Sequence, residues 1–145
     1  MRALLVGFDS AWTARNTGGL AGLLREDDGR YRELGLEDAI DFEAAAERIE
    51  AWRESCRPTR TLILIDQPTI VRNATKQRPV ENLVASPVSR RHGGMQPANT
   101  GRAGMFDAEA PVWKFLSRFG GALDPLDCGN ADPMIVETYP VLTLI

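Results

Sequence analysis

The chain has 145 residues, 26% charged and 43% apolar, with a net charge of −3; this is ordinary globular usage at a length that buries a real core. No apolar run approaches the roughly 20 residues of a membrane span. The opening MRALLVGFDS is too short an apolar stretch for a secretory signal and is broken by Asp9, so a cytoplasmic protein with no membrane partner is expected. Cys56 and Cys128 stand far apart without a CxxC pair and read as reduced, structural thiols.

Residues Arg2 to Phe8 are apolar on both alternating faces, which predicts a central strand covered by helices. NTGG at 16–19 is turn chemistry and LAGLL resumes an extended run. EDDGR at 26–30 is a second turn, with Gly29 suited to positive φ, and YRELGL alternates as a third strand. These segments form an antiparallel meander. Asp41 then suits an N-cap, Phe42, Ala45, Ala46, Ile49 and Trp52 recur at helical spacing, and Pro58 stops the helix. TLILI, again apolar on both faces, predicts a second central strand, beside and parallel to the first and reached by a βαβ crossover.

From about 69 to 107 periodicity dissolves, apart from one helical turn in PVENLV; a loop insertion this long is usually functional or disordered. Between Arg72 and Gly104 it carries six basic side chains against Glu81 alone. That asymmetry fits a local anion site, and equally a solvated loop. APVWKFLSRFGG restores a helix with Pro111 in its first turn and Gly120 as its cap, and MIVETYPVLTLI begins a last strand. The sequence reads as a single domain over 1–145. Its end in an apolar run at Ile145 suggests C-terminal truncation, or a natural short form whose last strand closes an edge.

Three strand-like segments each deliver one carboxylate near their ends: Asp9, Asp66 and Glu137. Open α/β sheets place sites beyond the carboxyl ends of parallel strands. Neighbouring strands lie about 4.8 Å apart, where two carboxylates repel by roughly 3 kcal/mol at an effective dielectric near 20. A shared proton, an arginine or a cation would offset this. Mg²⁺ takes one or two carboxylates with waters and phosphates, and a third carboxylate would allow two ions about 3.5–4 Å apart. Each residue also has a plainer reading: Asp66 before Gln67-Pro68 as an Asx turn, Glu137 as the partner of an arginine.

The segments GFDSAW, LILIDQP, RPVENLV and VETYP, in that order over nearly the whole chain, resemble those of the predicted RNase H-like nuclease family. The resemblance implies an RNase H-like α/β fold: a three-stranded antiparallel meander followed by helix-linked parallel strands. It implies Mg²⁺- or Mn²⁺-dependent phosphodiester hydrolysis of a nucleic-acid partner, with Asp9, Asp66 and Glu137 as catalytic and metal-holding residues. Arg78 and Glu81 match the family's Arg-x-x-acid motif, and Arg78 would grip phosphate through its bidentate fork. Arg90, Arg91 and Arg102 would hold the backbone, and Trp12 would stack on a base. RNase H-like nucleases generally use a further acidic residue on a C-terminal helix, which nothing after Ile145 supplies.

Trp52 and Trp113 sit on helical stripes and read as core, and His92 reads as a solvent-facing loop residue. Gly18-Gly19 and Gly93-Gly94 lack a GxxxxGK[ST] context, which excludes a P-loop. Two rival readings stay open: a phosphotransferase or nucleotide hydrolase, and a non-catalytic RNase H-like binding module. The sugar-kinase and actin group shares the fold core but places a glycine-rich hairpin directly after the first aspartate, where Ser10, Ala11 and Trp12 intervene here. Oligomeric state stays open, a homodimer included.

Overall fold

A computed structural model describes residues 1–83, 96–120 and 131–140. The expectations for Arg90, Arg91, His92, Gly93-Gly94, Cys128 and the chain after Pro140 lie outside these residues.

The chain runs through β1 (Ala3–Asp9), β2 (Gly18–Arg25), β3 (Tyr31–Ile40), α1 (Phe42–Cys56), β4 (Arg60–Ile65), α2 (Pro111–Arg118) and β5 (Met134–Glu137). They build an α/β structure around one open, mixed sheet of order β3-β2-β1-β4-β5. The meander forms as the turn chemistry requires. Glu26 N–H donates to Arg30 C=O at 2.8 Å, and Gly29 sits at φ +86°. Strand β1 pairs antiparallel with β2 and parallel with β4, the order expected of a helical crossover.

Asp41 caps α1, its Oδ1 accepting from Ala44 N–H at 2.9 Å. The helix ends without a glycine: Arg57 takes the left-handed conformation at φ 46° and donates its N–H to Arg53 C=O. Pro111 opens α2 at its first turn, where its missing N–H costs nothing. Both helices lie on the same face of the sheet. Phe8 of β1 meets Phe42 of α1 at 5.4 Å and Phe115 of α2 at 5.3 Å between ring centroids. Trp52 is buried there as expected, and Trp113 packs against the same core. Gly22 of β2 lies directly beneath Trp52, where an added Cβ would stand 2.6 Å from the indole ring.

Register assigns the paired strand residues to faces, with two irregularities between β2 and β3. Glu37, Leu20, Phe8, Ile65 and Glu137 pair in sequence across all five strands. This row faces the helices, because Phe8, Leu20 and Ile65 are in the core. One residue earlier, Leu36, Ala21, Gly7, Leu64 and Val136 form the neighbouring row on the opposite face. Of the helices expected to cover the central strands, the two in the described residues, α1 and α2, both lie on the first face. Among the described residues nothing covers the second face, and Leu36 stays 70%, Leu23 41% and Leu64 38% exposed. Among the described residues, the apolar side chains that β1 and β4 carry on their second face border a concavity edged by Thr138 and Pro140.

Candidate functional site

Asp9 and Asp66 arrive at the same place by the same route. Phe8 pairs with Ile65, and Asp66 N–H extends that ladder by donating to Phe8 C=O at 2.9 Å. The next residues are thus neighbours at the ends of adjacent parallel strands. Both border a cavity of about 350 Å³ with Gly7, Ala21, Leu36 and Leu64 as its apolar walls. Asp9 is exposed and turns one oxygen back to its own loop, Oδ1 accepting from Ala11 N–H at 3.1 Å. Asp66 is half-buried. Burial first, then the charges of Asp9 and Glu137, push its carboxyl up to about 6 from 3.8.

Glu137 reaches the same end of the sheet but on the other face, in the row with Phe8 and Ile65. There it meets Arg78, whose two terminal nitrogens donate to the two Glu137 oxygens, one of them at 2.8 Å. Thr69 N–H adds a 3.3 Å bond to Oε2. Arg78 is buried and spends its other donors inside the protein, Nε on Glu81 at 2.7 Å and a terminal nitrogen on Ile70 C=O at 3.1 Å. Burial alone would lower the guanidinium pKa, but Glu137 and Glu81 outweigh it and the net shift is upward. The fork that the resemblance gives to phosphate is engaged by a carboxylate.

The Arg-x-x-acid motif has a local structural account as well. Residues 79–83 are helical within the described chain. Pro79 takes the first helical position and Glu81 reaches back to accept from Arg78 N–H at 2.9 Å, half of a capping box. Its same oxygen accepts from Ala98 N–H at 3.0 Å, which draws the 96–110 segment against this turn. Glu81, only 1% exposed, is thereby held as a structural anion.

Arg102 donates to Pro97 C=O at 2.9 Å and to the Gln96 side chain at 3.0 Å. Trp12 packs edge-on to Phe106, with ring centroids 5.5 Å apart, and its indole N–H donates to Asp66 C=O at 2.7 Å. It lines a second concavity of about 270 Å³ with Asp66, Arg78, Glu81 and Glu137, on the helix side of the strand ends.

Sequence reasoning missed Ser10 and Gln67. Both are buried, and Ser10 Oγ donates to Gln67 Oε1 at 2.5 Å, joining the turn after β1 to the turn after β4. A polar residue following a strand aspartate was the only signal, and one sequence does not mark it as interior.

Among the described residues no group of three or more metal-ligating side chains converges. The geometry offers a pair of hard-oxygen donors on one face and an arginine-bound carboxylate on the other. Comparison with protein-family models, curated proteins and solved structures found no match to this chain.

Proposed function

We propose that this chain is an RNase H-like, divalent-metal-dependent nuclease whose ion is held by Asp9 and Asp66. The observation that carries the reading is the pair of carboxylates that border one cavity at the C-terminal edge of adjacent parallel strands, one of them half-buried, its pKa raised by that burial and by its acidic neighbours. That donor set suits Mg²⁺ or Mn²⁺, which need only one or two carboxylates when waters and substrate phosphate complete the shell. When bound, such an ion supplies Lewis acidity toward a phosphoryl oxygen and a more acidic water.

The chain's own residues have distinct tasks in this reading. Asp9, exposed, offers its free oxygen toward solvent and substrate, while Asp66 holds charge in a partly desolvated position where attraction to a cation is strengthened. Glu137 is a neighbouring negative charge restrained by Arg78, not a ligand of the same ion. Arg72 and Lys76, both exposed, together with Arg90 and Arg91 of the basic segment, would meet the phosphate backbone. Binding would then weaken by about 0.9 log unit per log unit of salt for each duplex phosphate neutralised.

The test is cleavage of single- and double-stranded DNA and RNA with Mg²⁺ or Mn²⁺, wild type against Asp66→Asn. The variant should lose at least the roughly 100-fold that even outer-shell losses reach at metal sites. Equal rates would identify a contaminating nuclease and sink the reading. No Mn²⁺ bound between Asp9 and Asp66 at millimolar concentration would favour a non-catalytic module built on the same sheet.

A further inference from the structure

The turns that carry the two aspartates are fastened together behind them. After Asp9 the chain takes two consecutive non-glycine residues into the left-handed region, Ala11 at φ 50° and Trp12 at φ 67°. Such a pair persists only where surrounding contacts hold it, and strain of this kind clusters at functional sites. The contacts here converge on Gln67, which has no solvent exposure. Its Oε1 accepts from Ser10 Oγ at 2.5 Å, and its Nε2 donates to Trp12 C=O at 3.4 Å and Met105 C=O at 3.3 Å. Trp12 closes the loop by donating its indole N–H to Asp66 C=O at 2.7 Å. The residues flanking each aspartate on its C-terminal side are thus bonded to one another.

We propose that Gln67 is a positioning residue, which with Ser10 and Trp12 fixes the Asp9 and Asp66 carboxylates at one separation and on one face. This rests on the metal-site reading given above and adds to it what makes the pair rigid. Hydrogen bonds on both turns remove the freedom that two exposed loop ends would otherwise have. A pair held at one spacing favours an ion that demands strict geometry. Supporting residues of this kind typically change metal affinity 10- to 100-fold. Gln67 touches neither substrate nor ion in this arrangement; it acts through the backbone of the two turns.

Two readouts test the proposal: Mn²⁺ affinity from water-proton relaxation, and solvent exchange of the Trp12 indole N–H by NMR. Gln67→Met and Ser10→Ala should each weaken Mn²⁺ binding about 10-fold or more and accelerate Trp12 indole exchange. Gly22→Ala, which strains the distant contact with Trp52, serves as the control for general destabilisation and should change neither. Should Gln67→Met fail to fold, Ser10→Ala carries the test alone. Wild-type Mn²⁺ affinity in the folded variants overturns the proposal, as does unchanged indole exchange. If the wild type itself binds no Mn²⁺, the metal reading falls, and indole exchange alone then decides whether Gln67 holds the two turns.

Discussion

Replacing Asp66 with asparagine should stabilise the protein above pH 6, and the size of the gain follows from the site. The Asp66 carboxyl is pushed up to about 6 from 3.8 because burial, Asp9 and Glu137 all disfavour its charge, in that order. Between those two pH values the folded state binds more protons than the unfolded chain, so stability falls as pH rises through the window and is level above it. A shift of two units corresponds to about 3 kcal/mol at full strength. Water reaching the exposed half of the carboxylate screens this to about 1–2 kcal/mol. Urea denaturation of wild type and Asp66→Asn at half-unit steps from pH 4 to 8 measures it. The advantage of the variant should grow by about 1–2 kcal/mol across the window. Magnesium acts in the opposite sense: at 10 mM and a dissociation constant near 1 mM it should return about 1.4 kcal/mol to the wild type alone. A pH-independent difference between the two proteins would refute the account of Asp66 as an uncompensated half-buried charge.

Arg78→Met should destabilise by about 3–5 kcal/mol in urea, since it strands the buried Glu81 and the neighbouring Glu137 without their cation. Gly22→Ala should lower the thermal midpoint, at a cost of about 1–3 kcal/mol, because its Cβ would enter the Trp52 ring. Gly7→Ala, with nothing within 4 Å of the new Cβ, should instead be neutral or stabilising by about 0.5–1 kcal/mol. Glu137→Gln should leave Mn²⁺ affinity within about 3-fold while Asp9→Asn lowers it by 10-fold or more, both read by relaxation titration.

The order of the elements was legible because each carried a local cue: Gly29 for the tight turn, Asp41 and Pro58 for the ends of α1, Pro111 for the start of α2. The adjacency of Asp9 and Asp66 was legible too, since a helix between two apolar strands implies a parallel pair. Which face of the sheet α1 and α2 take was not. Leu64 and Leu36 are apolar in the sequence, but their exposure depends on which side α1 and α2 take, and that is a property of connections. Of the two sequence readings of Glu137, metal ligand or partner of an arginine, the structure shows the pairing with Arg78, and its face was hard to read for a related reason. Its strand is only four residues long, and a shift of one residue in pairing would have moved its side chain to the opposite face. Nothing within MIVETYP fixes that register. It is set at the far end, where Asp132 accepts Thr61 N–H at 2.6 Å and pairs with Arg53.

That register bears directly on the chemistry. Three strand-end carboxylates suggest two ions only if all three are free to turn into one volume; Asp66 borders the Asp9 cavity and also the Glu137 concavity, but the Glu137 oxygens are taken by Arg78. Asp9 and Asp66 follow Phe8 and Ile65, whereas Glu137 pairs with Ile65 itself. On its own face Glu137 has a better partner than any shared ion, a guanidinium with matched bidentate geometry. Its charge still reaches Asp66 and helps raise that carboxyl. Glu137 therefore adds to the negative charge felt by Asp66 while its own oxygens are engaged by Arg78. In the proposed reading, one ion would be held by the two aspartates, with solvent or phosphate oxygens completing its shell.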